Sequence, residues 1–176
     1  VFHPEHSAKA SPIVLVVHAW DGLGDEVRDK ATRLAAQGYV AFAIDVHGDG
    51  ILHTDFSTVQ EVLGPFMADR AMLLRRLAAA LTAAKTIPGA DTARIAVMGY
   101  CFGGTGVVEL ARSGAVVKGV VSFHGGLDSP APADGKNIKG KVLALHGADD
   151  PFVPAKDLTA FEQEMKDAGV DYKLVQ

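Results

Sequence analysis

The sequence has little of several features that would mark other classes of protein. It holds one cysteine among 176 residues, which excludes an intrachain disulfide and a CxxC zinc or redox motif. Its 17 Lys and Arg residues are outnumbered by 21 Asp and Glu, whereas a nucleic-acid binder usually carries a basic face. Its longest apolar stretch, residues 72–84, is interrupted by Arg75 and Arg76 and is shorter than the roughly 18–20 residues of a membrane span. We therefore expect neither a nucleic-acid nor a membrane partner.

What is present is the composition of a soluble domain with a packed core. Hydrophobic residues make up 48% and charged residues 22% of the chain, whereas intrinsic disorder needs lower hydrophobicity and higher net charge. No repeat, linker or low-complexity segment divides the chain, so we expect one domain over residues 1–176. Because the chain opens on Val1, the encoded start is not visible and a cleaved signal peptide stays open. Our working expectation is a cytoplasmic protein.

The apolar pattern alternates between strands and helices. This alternation predicts an α/β fold with a doubly wound, mainly parallel sheet. The predicted strands are residues 13–17, 39–44, 94–98, 119–123, 142–145 and 170–175. The predicted helices are residues 25–37, a long helix around residues 67–81, residues 104–113, and a helix whose inner face carries Leu158, Phe161, Met165 and Ala168.

The long helix is expected to begin after a break at Gly64 and Pro65, because proline cannot continue a helix. Beyond the break, apolar residues recur at helical spacing, which predicts that they face the core. These residues are Met67, Ala71, Leu74, Ala78 and Leu81.

Residues 99–104, GYCFGG, form the most informative segment. They fit the pattern G-x-nucleophile-x-G between an apolar strand and a helix, with cysteine in place of the commoner serine. In such an elbow the nucleophile sits on a sharp turn, and Cys101 would attack while the N–H of Phe102 faces the developing oxyanion. The helix N-terminus that follows is expected to favour the thiolate. The alternative interpretation is a buried structural cysteine beside a tight turn.

A nucleotide site is the main competitor for a glycine-rich turn, but the spacing argues against it. A dinucleotide fold needs G-x-G-x-x-G after its first strand, and GYCFGG does not fit that spacing. Gly22 and Gly24 follow the first predicted strand but lack the third glycine, and no GxxxxGK[ST] motif occurs. We expect no cofactor.

A catalytic acid is expected on a loop after a later strand. The strand at residues 142–145 leads into HGADDP, and we favour Asp150, which directly precedes Pro151, over Asp149. An ionised aspartate there would orient a catalytic histidine, although an Asp-Pro turn with local hydrogen bonds would have the same sequence. The loop after the first strand is placed to give a second oxyanion N–H, from either Ala19 or Trp20.

With these motifs in order, the chain resembles the dienelactone hydrolase family, the cysteine branch of the α/β-hydrolases. The matching segments cover essentially the whole chain: VVHAWDGL at 16–23, LAAQGYVAFAIDVHGDG at 34–50, IAVMGYCFGG at 95–104 and LHGADDPFVP at 145–154. The resemblance implies a nucleophile at Cys101, a triad acid at Asp150, and oxyanion amides from Phe102 and Trp20. It also implies hydrolysis of a small carboxylic ester or lactone through an acyl-enzyme, without a cofactor.

The chain departs from the family pattern in three ways. Ala19 stands where family members usually carry a glutamate that helps to control the protonation of the cysteine. The family's substrate-carboxylate arginines have no convincing counterpart, since no arginine lies between Arg33 and Arg70. The triad histidine should follow the last predicted strand, which places it beyond Gln176. From the resemblance, the domain is expected to be trimmed at both ends.

Four histidines follow predicted strands, where ligands of parallel sheets bind: His18, His47, His124 and His146. Strand-end histidines more often hydrogen-bond loop carbonyls, and we expect that role for most of them. His124 is the best substitute for the absent base within the chain, because its strand should lie beside the strand of Cys101. The segment 45–49, DVHGD, has metal-ligand residue types but fits the family loop better, so we predict no metal.

Two other functions stay open at this point. The missing histidine and Ala19 would also suit a catalytically inactive domain that keeps a binding cleft. Cys101 could alternatively be a redox-sensing thiol, which would react with peroxide without ester turnover.

Overall fold

A computed structural model describes residues 1–5, 9–48 and 50–176. Within these residues, six parallel strands form one sheet in the order β2-β1-β3-β4-β5-β6. The strands are β1 (Ser11–Val17), β2 (Val40–Ile44), β3 (Ala90–Tyr100), β4 (Gly119–Phe123), β5 (Lys141–Leu145) and β6 (Tyr172–Val175). The predicted parallel sheet is therefore confirmed. Each predicted strand is present: β4 has the predicted bounds, and the others are shifted at one or both ends.

Five α-helices connect these strands or follow them. They are α1 (Asp25–Ala36), α2 (Phe56–Ala68), α3 (Arg70–Ala84), α4 (Phe102–Arg112) and α5 (Ala155–Asp167), with a short 3-10 helix at Pro132–Asn137. Both faces of β1 are buried, as its continuous apolar sequence predicts. Leu15 and Val17 belong to the large core that includes residues of α3 and α4, while Val16 packs in a second core with Val27 of α1. Because helices cover both faces of the sheet, the doubly wound fold is confirmed.

The predicted helix break at Gly64 and Pro65 is wrong. Pro65 lies inside α2, and its carbonyl accepts a hydrogen bond of 2.9 Å from the N–H of Asp69. A proline normally disfavours helical backbone in the residue before it through a clash with that residue's Cβ, and Gly64 has no Cβ. The break comes instead at Asp69, whose side chain accepts from the N–H of Met72 and caps α3.

The predicted inner face of the long helix is also wrong for Met67, Ala71 and Ala78, whereas Leu81 is buried and Leu74 is partly buried against the core. Met67 is 45% exposed and belongs to α2, and Ala71 and Ala78 are exposed. The buried residues of α3 are Leu73, Leu77, Leu81 and Ala84. The spacing of the predicted set is equally helical, so the sequence pattern alone did not distinguish the two stripes. Packing of α3 against α2 and α4 selects the leucine stripe.

The parallel sheet brings the candidate residues of the sequence to one edge. His18 directly follows β1, Cys101 follows β3, His124 follows β4 and His146 follows β5. The loop after β2 begins at Asp45, and Asp49 of the DVHGD segment lies outside the described residues. Since the carboxyl ends of parallel strands meet at one side, this edge is where a site for this fold is expected.

Candidate active site

Cys101 occupies a strained strand-to-helix turn. It directly follows β3 and caps α4 with φ 53° and ψ −114°, a left-handed φ that few residues other than glycine adopt. The turn is anchored because the N–H of Cys101 donates to the carbonyl of Phe123 at 2.9 Å. Backbone strain of this kind persists where surrounding structure enforces it and is typical of functional sites. The elbow geometry that the GYCFGG sequence predicts is present.

The glycines of the elbow allow three pieces of backbone to approach one another. A Cβ on Gly99 would lie 2.2 Å from the carbonyl oxygen of Gly103. A Cβ on Gly103 would lie 2.5 Å from the carbonyl oxygen of His18. Both distances are shorter than any tolerable contact, so both positions require glycine. The contact between Gly103 and His18 also sets the loop after β1, with Trp20 on it, beside the elbow.

Phe102 contributes both backbone and side chain to the site. Its backbone N–H lowers the pKa of the Cys101 thiol through a hydrogen-bond interaction. Its ring is buried, with ring-centroid distances of 6.1 Å to each of His18, His47 and Phe66. A ring fixed among three others holds its own amide in place, which is what an oxyanion donor needs.

His18 acts as an anchor for the loops around the nucleophile. Its side chain is fully buried; Nδ1 lies 2.6 Å from the carbonyl oxygen of Ala19, and Nε2 accepts from the N–H of Val46 at 3.0 Å. These partners assign the proton of a neutral ring to Nδ1. His18 thus ties the loop after β1 to the loop after β2. His18 therefore has the structural role that was expected for most of the strand-end histidines.

The environment of Cys101 disfavours the thiolate. Burial raises the pKa of the Cys101 thiol, and the negative charges of Asp150 and Asp21 raise it further, while the hydrogen bond from Phe102 lowers it. The expectation that the helix N-terminus would favour a thiolate is therefore not met. One N–H dipole is outweighed by desolvation and two nearby carboxylates, so the thiol needs a base to remove its proton.

The carboxylate of Asp150 is held by local contacts, and its charge acts on Cys101. Its Oδ1 accepts from the N–H of Phe152 at 2.9 Å, and its Oδ2 lies 3.7 Å from Nε2 of His146. His146 is buried, and its Nε2 has no hydrogen-bond partner within the described part of the chain. Asp150 is partly buried, whereas Asp149 is exposed. Asp150 therefore forms a local turn hydrogen bond and also acts electrostatically on Cys101.

His124 lies beside the elbow strand but does not contact the nucleophile as a base would. It is exposed, has an unusual φ of 40°, and donates its backbone N–H to the carbonyl of Leu145 at 2.8 Å. Among the described residues, no hydrogen bond joins its imidazole to Cys101. The substitute role considered for His124 has no geometric support.

An exposed aromatic pair lies at the rim of the site. Trp20 is 38% exposed and contacts Phe56, which is 62% exposed, with ring centroids 6.0 Å apart at 65°. A cavity of about 290 Å³ opens beside this rim. It is lined by Ala19, Asp21, Gly22, Gly24, Asp25, Glu26, Val27, Lys30, Leu52 and Tyr100. The cavity reaches from the loop after β1 to the residue that precedes Cys101.

Residues 1–5, 9–48 and 50–176 offer neither a metal cluster nor a membrane span. Those residues contain no cluster of three or more His, Cys, Asp or Glu side chains arranged to hold a metal ion. None of their helices is both long and apolar enough to cross a membrane.

The strand-to-helix elbow at the carboxyl edge of a doubly wound parallel sheet defines an α/β-hydrolase. The sequence profile of the Dienelactone hydrolase family matches residues 1–176, and the chain belongs to that family. The family resemblance drawn from the sequence is therefore confirmed.

Individual relatives agree with this assignment. A Synechocystis sp. protein named "Putative carboxymethylenebutenolidase" is 28% identical over 176 residues, covering 93% of this chain and 71% of that protein. A dienelactone hydrolase-like promiscuous phosphotriesterase from metagenomic libraries is 37% identical with a TM-score of 0.93, covering 97% of this chain and 71% of its own. A structure titled "Putative Dienelactone Hydrolase", from Klebsiella pneumoniae, is 27% identical with a TM-score of 0.81. The match covers 98% of this chain and 76% of that one. The chain spans 58% of the length of a second curated relative, from Methylorubrum extorquens.

The structure adds residues that the sequence reasoning missed. Asp21 acts electrostatically on Cys101, and Phe56 completes the aromatic rim. Asp21 could have been noticed, because it lies two residues after Ala19 in the loop that was expected to donate to the oxyanion. Phe56 carries no sequence signal, since its contact with Trp20 joins residues 36 positions apart.

Proposed function

We propose that this chain provides the nucleophile and the acid of a cysteine hydrolase that cleaves a small carboxylic ester or lactone through an acyl-enzyme. One observation carries the proposal: Cys101 sits on a strained elbow at the start of α4, where the N–H of Phe102 and the charge of Asp150 both act on its thiol. A buried structural cysteine would need neither the strain nor the aligned amide. The names of the relatives, among them carboxymethylenebutenolidase, favour a lactone or ester.

In the proposed first half-reaction, a histidine removes the thiol proton of Cys101 as the sulfur attacks the acyl carbon. The carbonyl oxygen becomes an oxyanion facing the N–H groups of Phe102 and Trp20. When the intermediate collapses, the C–O bond to the leaving group breaks, and the histidine returns its proton to the departing oxygen. The enzyme is left as a thioester at Cys101.

In the second half-reaction, the same histidine takes a proton from water, which attacks the thioester carbonyl. Collapse breaks the C–S bond, releases the carboxylic acid, and restores the thiol of Cys101. Asp150 orients the histidine and stabilises its protonated form. The raised pKa of Cys101 agrees with this division of labour, since a thiol that stays protonated at neutral pH depends on a base.

The histidine of this mechanism is proposed to lie outside residues 1–176. Of the four histidines at the carboxyl edge, His18 anchors two loops, and His47 is buried with its ring against those of His18, Phe66 and Phe102. His124 has no described contact with Cys101, and Nε2 of His146 lies 3.7 Å from Oδ2 of Asp150. Each family member named above is longer than the part that this chain matches. The Asp150 carboxylate, fixed near Cys101, supports the position of such a base.

The raised pKa also weighs against the redox alternative. Thiols that sense peroxide react as thiolates, and sensor cysteines have a lowered pKa. Burial and two carboxylates act in the opposite direction on Cys101.

The test is covalent capture and turnover. The complete protein should release p-nitrophenol from p-nitrophenyl acetate, and Cys101→Ala should abolish that release while Cys101→Ser retains a small fraction. Mass spectrometry should place the acyl group on Cys101 within the first turnover. A folded protein that neither turns over esters nor acquires an acyl group would instead support the inactive binding domain.

A further inference from the structure

The aromatic pair at the rim is unusual because two large apolar side chains remain open to water. Phe56 is 62% exposed and Trp20 is 38% exposed. The two rings contact each other. The neighbouring residues Ile51 and Leu52 are 53% and 44% exposed. The ring contact and the bridge between Gly22 and Leu52 bring the segments of these residues together. Single exposed apolar residues are ordinary, whereas a group of them marks a binding surface.

The patch is held rigidly in place. Trp20 lies on the loop that packs against Gly103 of the elbow through the carbonyl of His18. Phe56 is the first residue of α2, and Asp55 fixes that end of the helix because its carboxylate accepts from the N–H of Thr58 at 3.0 Å and from the hydroxyl of Ser57. Rings held by a packed loop and a capped helix lose little freedom when a ligand covers them.

Leu52 joins the patch to the nucleophile. It forms a β-bridge with Gly22, and a Cβ on Gly24 would lie 2.7 Å from its Cδ1. Leu52 also lines the cavity that reaches Ala19 and Tyr100, the residue before Cys101. The cavity thus connects Leu52 with the loop that carries Trp20 and with the residue that precedes Cys101.

The charges around the nucleophile are negative. Asp21 and Asp150 both act on the sulfur, and hydrogen bonds from Ser57 and Thr58 lower the pKa of Asp55 beside Phe56, which keeps it ionised. Two basic side chains are held by acidic partners: Arg70 bonds Asp128 at 3.1 Å, and Lys30 bonds Glu26 and lies 4.4 Å from the centre of the Tyr100 ring. A substrate carboxylate would meet repulsion here, whereas an uncharged group would not.

We propose that Trp20 and Phe56 form the binding subsite for an apolar or aromatic group of an uncharged ester, and that the site discriminates against substrates with a free carboxylate. This specificity rests on the proposed hydrolase function. The proposed specificity differs from that of a lactone hydrolase that binds an anionic substrate. An anionic group needs a cationic side chain, whereas the patch offers the faces of aromatic rings.

The first experiment compares two esters of equal length in the complete protein. In the p-nitrophenyl monoester of glutaric acid, a carboxylate replaces the terminal methyl group of p-nitrophenyl valerate. We expect kcat/KM for the valerate to exceed that for the monoester by about tenfold or more, as ~1.4 kcal/mol of repulsion and lost apolar contact would give. Equal values would overturn the inference. A preference for the anion that Arg76→Ala removes would also overturn it, because the guanidinium of Arg76 lies at the loop after β2, about 3.0 Å from where a Cβ on Gly48 would stand.

The second experiment tests the patch itself. Phe56→Ala should raise KM for the valerate about fivefold with little change in kcat, because the ring binds substrate without touching the reacting atoms. Phe56→Leu should restore most of the loss, since it remains apolar. Val116→Ala removes an apolar side chain that is 75% exposed and should leave both constants unchanged. A Phe56→Ala protein with wild-type KM would contradict the subsite.

The third experiment tests the charge. Asp21→Asn should lower the ratio of kcat/KM for the valerate to kcat/KM for the monoester by about threefold or more. The main cause should be faster hydrolysis of the anionic monoester. The control is Asp171→Asn, which removes an exposed carboxylate paired with Lys141 at 2.8 Å, next to the start of β6. An unchanged preference in Asp21→Asn would show that this charge does not select the substrate.

The outcomes separate this inference from the hydrolase proposal. If neither ester is cleaved and Cys101 is never acylated in folded protein, the proposed function fails. If both esters are cleaved through Cys101 with equal kcat/KM, the hydrolase proposal stands and only the specificity is wrong.

Discussion

The carboxylate of Asp150 faces the buried imidazole of His146, with Oδ2 3.7 Å from Nε2, while Oδ1 is fixed by the N–H of Phe152. A carboxylate held on one oxygen and enclosed on the other by a buried ring has little room to rotate. Such an acid can orient a catalytic histidine without reorganising, which is the property that a triad requires.

Asp150→Asn should therefore lower kcat for ester hydrolysis by orders of magnitude, because the amide favours the wrong histidine tautomer. The substitution is nearly isosteric, so the urea midpoint should shift little. Steady-state kinetics and urea unfolding of the complete protein check both parts. Asp149→Asn, at an exposed neighbouring position, is the matched control and should retain activity. Similar losses from the two variants would reject the assignment of the acid.

The raised pKa of Cys101 predicts slow alkylation at neutral pH. At pH 7, iodoacetamide should react more slowly with Cys101 than with the thiol of a free cysteine peptide. The pH at which the rate is half-maximal should lie above the pKa of ~8.5 of an ordinary thiol. Asp21→Asn removes a negative charge that opposes ionisation, so it should lower the pKa and speed alkylation. Asp171→Asn should have no effect. Alkylation faster than the peptide at pH 7 would mean that the thiolate is favoured after all.

Gly99→Ala should destabilise the fold by about 4 kcal/mol or more, because its Cβ would lie 2.2 Å from a backbone oxygen that cannot move without breaking the elbow. The free energy of unfolding from urea titration measures this loss. Gly147→Ala is the control, since its Cβ would meet nothing nearer than the Cβ of Asp150 at 3.9 Å. That variant should stay within about 1 kcal/mol of the parent. Comparable stability of the two variants would contradict the close approach of Gly99 and Gly103.

A polypeptide of residues 1–176 alone should show little ester turnover but should become acylated at Cys101 and stall. Water attacks the thioester slowly without a base, whereas an activated ester can acylate even a weak nucleophile. Mass spectrometry should detect a persistent adduct, and circular dichroism must first show that the polypeptide is folded. Turnover equal to that of the complete protein would place the base within the chain.

Much of the framework was determined by the sequence. The run IVLVV of residues 13–17, the GYCFGG spacing at 99–104 and the strand before Asp150 are local patterns, and each specifies its own element. Because all the strands run parallel, knowing where each ends already places Cys101, Asp150 and the strand-end histidines at one edge.

The tertiary structure decided what local patterns leave open. The leucine stripe of α3 is buried because α2 and α4 pack against it, although another stripe has the same periodicity. The pKa of Cys101 is raised first because folding partly buries its sulfur, and further because folding brings the charges of Asp21 and Asp150, 80 and 49 positions away, to act on it. The rim formed by Trp20 and Phe56 likewise exists only after folding. Packing and charge act through space, whereas periodicity reports only neighbours along the chain. The sequence therefore located the candidate nucleophile, and the fold set its environment.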